Sequence, residues 1–400
     1  MTSHRFLLAS TFCFAAALAG CSDDEPAAPS GVSCNEVFDA GADGASLSSA
    51  LSQAQSGDCV VAETNTFQGS FQVEAGVTLV AADGATPTLQ GAADQPAVKV
   101  LGGIGSAVIG FTVTGGSIGV FVEGTQARLE SLAVSGATRS AFAGWRDIAL
   151  GGPDTLPADG ILLTDVDLSQ SATGLWASNV RVTLDGGSIH DNAGVSLTGG
   201  YGLVAVNGTQ LTVTGTVVEA NSYGVVLDGA GGTVANLTSM AVLGNLERGL
   251  WAQKLAGTLQ QPALSVQDTT IEANSLVGLG ALQSKGIIII GGKISGTLAK
   301  PIVVDLDTVE VGDGLGLFDA SGDVSLDNVM LENNARSQAL IDQAGANIVI
   351  AGQVQPTGAQ LKVVIQNSTE TVQVDAANVS TPSAPLAVGA GALTIDSAVE

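Results

Sequence analysis

The chain has 400 residues, of which 53 are glycine and 4% are aromatic, and its formal net charge at pH 7 is −25. So large an acidic excess argues against binding to nucleic acid or to an anionic membrane surface, and it repels polyuronates unless Ca²⁺ bridges the two. The mean hydropathy of +0.38 is too high for an intrinsically disordered chain.

The first 20 residues have the pattern of a signal peptide, with a basic start (MTSHR), an apolar run (FLLASTFCFAAA) and the box LAGC at 18–21. This box resembles the lipoprotein signal of bacteria. The resemblance implies cleavage before Cys21, attachment of lipid to its sulfur and a place in the cell envelope, with Ser22 favouring the outer membrane. An ordinary secretory peptide cut nearby is the alternative. Residues 21–33 then form a flexible tether.

Cysteine usage agrees with export. Cys13 leaves with the signal and Cys21 is acylated, so Cys34 and Cys59 remain. Two cysteines left in an exported chain most simply form one disulfide, although two buried free thiols are also possible.

A short helix is predicted within residues 34–58. Leu47, Ala50, Leu51 and Ala54 lie on one helical face, and Gly57 is expected to end the helix. We interpret this region as an N-terminal cap.

The segment from residue 59 to residue 352 repeats one pattern. Each unit has an apolar strand, a turn residue and a second strand of the type VVEANSYGVVLDG, and the shortest spacings between turns are 21 to 24 residues. This period predicts a parallel β-solenoid of about ten coils. Asparagine suits the turn because it tolerates left-handed backbone angles and its amide can bond to the next coil. The predicted turn residues are Gly116, Ala137, Ser171, Asn192, Asn221, Asn245, Asn274, Thr297 and Asn334.

These repeats and the predicted cap resemble the right-handed parallel β-helix proteins of the pectin lyase-like superfamily. The resemblance covers roughly residues 45–352 and implies an all-β fold whose first coil is closed by the helix, with a Cys34–Cys59 bridge fastening that cap. Residues 353–400 remain as a C-terminal β tail, in which QLKVVIQNSTETVQVD reads as a hairpin. The fold alone does not assign a chemistry.

The catalytic motifs of the well-known enzymes of this superfamily do not carry over. Polygalacturonase-like members place paired Asp residues and a His just before the second strand, and glycoside cleavage needs such a carboxylate pair. The Ca²⁺ cage and basic residue of pectate-lyase-like members have no counterpart either. The positions that match the polygalacturonase motif hold neither acid nor His: Ile118, Arg139, Thr173, Tyr201, Tyr223, Arg248, Val277, Lys300 and Ser337.

Two weaker groups of polar residues could carry chemistry. Stacking of successive coils would align Ser169, His190 and Glu219 as hydroxyl, imidazole and carboxylate, although a solvent-facing polar row explains the same pattern. The sequence DLDTVEVGDG offers clustered carboxylates that could hold Ca²⁺, with an acidic solvated loop as the alternative. Its acidic residues are Asp305, Asp307, Glu310 and Asp313.

The outward position of the second strand forms a third candidate. It is predicted as an apolar stripe along the rod, which could bind sugar rings or a protein unless the chain covers it with the insertion at 145–160 or with the tail. The predicted stripe residues are Phe121, Phe142, Trp176, Val204, Val226, Trp251, Gly280, Val303 and Leu340.

Together these features predict a monomeric, lipid-anchored envelope protein that uses its β-helix surface for binding or structural work. Neutral glycan or another surface protein is the expected partner, with no nucleic acid and no cofactor other than the candidate Ca²⁺. The alternative is a divergent polysaccharide-active enzyme of the same fold.

Overall fold

The computed structural model describes residues 28–400 except 194–199, 305–306, 358–359, 389–390, 392, 394 and 396–400. Its architecture is the predicted all-β, right-handed parallel β-helix. Strands from successive coils stack into three parallel ladders, here called ladders A, B and C in the order in which the chain visits them. Every coil buries alternate residues of its strands inside the rod.

Ladder A contains the strand that opens each coil. Its inward residues are apolar, as in the stack of Leu184, Val213 and Leu237, and its outward residues are more polar. The strands are Val37–Asp39, Cys59–Ala62, Thr78–Ala81, Ala107–Ile109, Ala127–Glu130, Ile161–Thr164, Arg181–Asp185, Gln210–Thr214, Val234–Thr238, Leu264–Gln267, Lys285–Ile290, Gly322–Glu332, Ile348–Gln355 and Val372–Val374.

Ladder B contains the short strand that precedes each asparagine turn. Gly322–Glu332 also continues into this ladder, where it pairs with Lys293–Ser295 and Ile348–Gln355. The other strands are Thr66–Gln68, Thr88–Gly91, Thr112–Gly115, Ala133–Ser135, Asp167–Ser169, Ser188–His190, Val217–Glu219, Ala241–Leu243, Thr270–Glu272 and Lys293–Ser295.

Ladder C contains the strand that follows each turn. Here, too, alternate residues point inward, and those between them face out along the rod. The strands are Phe71–Val73, Val98–Leu101, Ile118–Glu123, Ser140–Trp145, Thr173–Ser178, Tyr201–Val206, Tyr223–Asp228, Arg248–Gln253, Leu276–Leu282, Asp307–Phe318, Ser337–Asp342 and Leu361–Gln366.

The helix Gly44–Gln53 caps the first coil, as predicted, and buries Leu47, Ala50 and Leu51. It begins at Asp43, whose carboxylate accepts a hydrogen bond from the Ser46 backbone N–H at 2.8 Å. It ends four residues before Gly57, because the chain turns into the extended conformation at Ala54. Single-turn 3₁₀ helices lie at Ile148–Leu150, Pro153–Thr155 and Ala376–Asn378.

The predicted ladder of turn residues is confirmed between neighbouring coils. The side-chain amide oxygen of Asn221 accepts from the backbone N–H of Asn192 at 3.1 Å, and that of Asn245 accepts from Asn221 at 3.1 Å. The left-handed backbone angle, however, lies one residue earlier, with φ of 54° at Ala220. Asparagine therefore serves through its buried amide and not through its backbone freedom.

The C-terminal hairpin predicted around residues 360–375 does not form. Leu361–Gln366 instead pairs in parallel with Ser337–Asp342, and Val372–Val374 pairs in parallel with Ile348–Gln355. The two strands therefore prolong the rod beyond residue 352. They join ladders C and A because alternate residues such as Val363 complete the apolar interior.

Candidate functional site

The outward stripe on ladder C is buried by the chain itself. Phe121, Trp176 and Trp251 occupy one register row and are 8%, 4% and 0% exposed. Apolar residues of the C-terminal segment pack on this row. We call that segment the strap; its described residues are Leu386, Ala387, Val388, Gly391, Leu393 and Ile395. The stripe is therefore a packing surface in this structure, which agrees with the self-covering alternative.

Two predicted members of the stripe lie elsewhere. Phe142 pairs with Leu175 and points into the rod, while Ala143 occupies the row of Trp176. One residue more separates the turn residue Ala137 from Ala143 than separates Ser171 from Trp176. A slip of one residue reverses the face of a strand, so Phe142 points inward. Val303 belongs to the strand Lys300–Val304, which forms an antiparallel hairpin with Asp307–Val311 outside the stack, and Gly316 takes the predicted row position.

The polar row on ladder B has the predicted register, since Ser169 pairs with His190 and His190 with Glu219. The imidazole, however, contacts two aspartates: Nδ1 is 2.8 Å from Asp191 and Nε2 is 3.0 Å from Asp167. Partial burial lowers the pKa of His190, but the hydrogen bond and charge of Asp191 and the charge of Asp167 outweigh it and raise the pKa. Because both ring nitrogens face carboxylates, this arrangement leaves none to activate Ser169.

The acidic segment does not gather its carboxylates around one point. Asp307 and Glu310 lie along the hairpin strand opposite Val304 and Pro301, and Asp305 is outside the described residues. Asp313 is fully buried and accepts hydrogen bonds from the guanidinium of Arg336 and from Ser337 Oγ. Among the described residues, no three His, Cys, Asp or Glu side chains are grouped so that they could hold a metal ion.

A groove of about 610 Å³ lies on the outer face of ladder A near the N-terminal end of the rod. This volume falls in the range of small-molecule sites, about 300–1,000 Å³. The outward residues Thr78, Ala107, Arg128 and Leu162 belong to four successive strands and form its floor. The turn at 103–106 forms one edge, and residues 31–33 form another.

The wall at 31–33 is held to the rod by covalent and apolar contacts. Cys34 and Cys59 form the predicted disulfide, with Cα atoms 5.5 Å apart. Val32 packs against Val61 and Val80 on the outside of ladder A. The tether predicted at 21–33 is thus docked on the rod at its C-terminal end, whereas Cys21 lies outside the described residues.

The groove combines exposed apolar carbon with a small number of polar groups. Ile104 is 85% exposed and Leu162 is 39% exposed. Gln126, Arg128 and Asp159 also line it. The Arg128 guanidinium donates to Glu130 Oε2 at 2.8 Å, so its charge is largely balanced within ladder A. Such a surface can pack one apolar face of a ligand and hydrogen-bond to hydroxyl groups at its edge.

Sequence reasoning did not find this groove, because its lining comes from six separate segments of the chain. One local signal was available in the sequence GGIGS at 102–106, where a large apolar residue stands among glycines in a turn. An isoleucine in such a turn has no strand face through which to reach the core, and Ile104 is accordingly the most exposed of the large apolar residues in the described chain.

No protein-family model matches the chain, and no curated protein is similar to it in sequence. Similar solved structures include the mannuronan C-5 epimerase A-module of Azotobacter vinelandii, at 12% identity over 85% of this chain and 95% of that one, with a TM-score of 0.49. The Dettilon tailspike protein is 13% identical over 89% of this chain and 66% of that one, with a TM-score of 0.49. An α-1,3-glucanase catalytic unit from Streptomyces thermodiastaticus is 13% identical over 90% and 73%, with a TM-score of 0.45. No residue role is transferred from them.

Proposed function

We propose that the protein binds a neutral glycan in the groove on ladder A. The observation that carries this proposal is the exposure of Ile104 and Leu162 beside Gln126 and Asp159 in a cavity of about 610 Å³. The apolar face of a pyranose ring can pack on the two aliphatic side chains, while its hydroxyls meet the amide and carboxylate. The aromatic stripe on ladder C, once a candidate for this role, is covered by the strap.

The charge of the chain favours a neutral ligand over an acidic one. The formal net charge is −25, and loss of Arg5 with the signal peptide would make it one unit more negative. An acidic polysaccharide is repelled by this field, and Arg128 offers little compensation because Glu130 already pairs with it. We therefore expect neutral hexose or N-acetylhexosamine oligomers to bind better than uronates.

Replacing Ile104 with serine is expected to weaken glycan binding by about tenfold, because an aliphatic contact of this size contributes on the order of 1.5 kcal/mol. A panel of immobilised neutral and acidic glycans would identify the ligand, and calorimetry would measure the affinity. Ile290→Ser is the matched control, since Ile290 is 43% exposed on the same ladder but does not line the groove. Failure of the parent protein to bind any neutral glycan, or equal losses in both variants, would contradict the proposal.

One observation keeps the enzymatic alternative open: the carboxylate of Asp159 lines the groove. Asp159 is the one carboxylate among the described lining residues, so it can serve as a general acid or base but does not supply the carboxylate pair of a typical glycosidase. An enzyme would release shorter oligosaccharides from the glycan that binds, and Asp159→Asn would abolish release while leaving retention largely intact. A binding protein would retain the glycan unchanged in length over the same incubation.

We also propose that the protein is held in the bacterial cell envelope, at the outer membrane, by lipid on Cys21. The signal box LAGC supports this, and seven residues from Cys21 to Ala28 reach at most about 25 Å, which would keep the groove near the membrane. None of the helices in the described chain is long and apolar enough to span a bilayer.

Cys21→Ser is expected to move the protein from the membrane fraction to the soluble fraction, because the substitution removes the sulfur that carries the lipid. Cell fractionation with metabolic labelling by a fatty-acid analogue would follow both changes. Cys13→Ser, which alters a cysteine inside the predicted signal, should stay in the membrane fraction. A Cys21→Ser protein that remained labelled and membrane-bound would exclude this anchor.

A further inference from the structure

The strap is recognised mainly through its backbone. Gln366 accepts from the Leu386 N–H at 2.8 Å and donates to the Leu386 carbonyl at 2.9 Å. Gln253 makes the same pair of bonds with Leu393, at 2.8 and 3.0 Å. Each glutamine amide thus pairs with the strap as a neighbouring β-strand would. The two amide pairs are seven residues apart along the strap.

Two arginines complete the docking surface. Arg336 Nη1 donates to the Ala387 carbonyl at 2.7 Å, and Arg248 Nη1 donates to the Gly391 carbonyl at 3.1 Å. The Arg248 guanidinium also stacks on Trp251, 3.8 Å from the ring centre. Between these polar groups the apolar row of ladder C receives the strap side chains. The rod therefore holds the described residues of the strap through both polar and apolar contacts.

The strap is joined to the rod by a short exposed hinge. The Ser380 N–H donates to the Val363 carbonyl at 2.8 Å, and Ser380 Oγ accepts from the Lys362 N–H at 3.0 Å, so the chain is fixed at this point. Residues 381–385 (TPSAP) follow, mostly exposed and outside any strand or helix, and Leu386 is the next residue held. Two prolines in five residues restrict the backbone of this hinge, which bends at Ser383 and Ala384.

We propose that the strap is exchangeable between copies, so that the ladder C surface of one molecule receives the strap of a second. A second copy offers the same docking surface on ladder C, because both copies have the same sequence. Every contact of the strap can therefore form between two copies, and only the hinge connection differs. The balance between monomer and reciprocal dimer then depends on the hinge and on protein concentration. A dilute chain is a monomer, as expected from the sequence, and crowded copies pair.

Deleting residues 381–385 in the full-length Cys21→Ser chain is expected to convert the monomer to a dimer. Val379 pairs in parallel with Val363, so Ser380 lies at the level of Val364 and the hinge must cover the two residues to Gln366, about 7 Å along the strand. The intact hinge reaches about 20 Å, whereas the single Cα step left between Ser380 and Leu386 spans only about 4 Å. The shortened hinge prevents docking within one chain but not docking on a partner. Light scattering should give a doubled mass, and iodide should quench Trp251 no more than in the parent.

The control replaces Pro382 and Pro385 with alanine, which keeps the hinge length and should leave a monomer. A shortened chain that remains monomeric at every concentration overturns the proposal. If the shortened variant does not fold, the proposal is tested on the parent protein instead. Parent protein labelled in two separate pools should form mixed dimers that increase with concentration and decline on dilution, and their absence also overturns the proposal. Neither readout depends on a glycan, so failure here leaves the proposed function untouched.

Discussion

Replacing Trp251 with alanine is expected to lower the free energy of unfolding by about 3–5 kcal/mol, the usual range for a fully buried tryptophan. Trp251 is 0% exposed and packs against Phe318, with ring centres 6.2 Å apart. Its indole N–H donates to Gln253 at 3.2 Å, and Gln253 in turn holds the backbone of Leu393. The substitution therefore removes the aromatic ring on which the strap packs and the indole N–H that donates to the Gln253 side chain. Urea titration would measure the loss.

The same variant separates packing from ligand binding at ladder C. If the stripe bound glycan, Trp251→Ala would weaken glycan retention. Because the strap covers the stripe, we instead expect the strap to undock and the glycan affinity of the groove to stay unchanged. Limited proteolysis near residue 386 would report undocking. Trp145→Ala, at a tryptophan only partly buried against the same cluster, should have a smaller effect. Equal stability of the Trp251→Ala and parent proteins would contradict the packing assignment.

The coil architecture could be predicted because its determinants are local and repeated. Each coil carries alternating apolar residues and a turn residue at a nearly constant period, and each repetition adds support to the same interpretation. The turn row of Asn192, Asn221, Asn245 and Asn274 is confirmed in full by amide bonds between coils. The Cys34–Cys59 bridge was predicted because these are the two cysteines that follow the predicted signal box, and the structure confirms it.

Features that depend on one residue of register were harder to predict. Phe142 was assigned to the outer face because its strand was aligned by sequence pattern, yet the preceding turn holds an additional residue that reverses the face. The strand Lys300–Val304 resembles its neighbours in composition, but it pairs antiparallel with the next segment. In both cases turn length and not strand composition decides the placement.

Contacts between distant parts of the chain could not be predicted from the repeats. The strap meets side chains up to 143 positions away, as between Arg248 and Gly391, and its sequence contains no coil pattern. The groove similarly joins the chain near residue 31 to the insertion that ends at Gly160. The aromatic residues that sequence reasoning offered as a ligand surface are consequently buried in packing contacts, and the more exposed apolar surface consists of aliphatic residues on ladder A and the adjoining turn at 103–106.

Replacing Asn221 with alanine is expected to lower the free energy of unfolding by about 3–5 kcal/mol, because the change leaves several buried polar groups without a partner and each contributes about 1–3 kcal/mol. Asn221 is fully buried. Its Oδ1 accepts from the backbone and side chain of Asn192 at 3.1 and 3.0 Å, and its Nδ2 donates to the Ile189 carbonyl at 3.1 Å and to Asn245 at 3.2 Å. Urea titration would measure this loss as well.

Two companion variants test whether the amide ladder is the cause. Asn236→Ala changes an exposed asparagine on the outer face of ladder A and should leave stability unchanged within about 0.5 kcal/mol. Asn221→Ser should fall between alanine and the parent, because Ser171 already occupies a ladder position and accepts from the Ala137 N–H at 3.1 Å. If serine were no better than alanine, the loss would stem from the cavity and not from the unpaired groups of Asn192. The ladder would then hold the coils by packing alone.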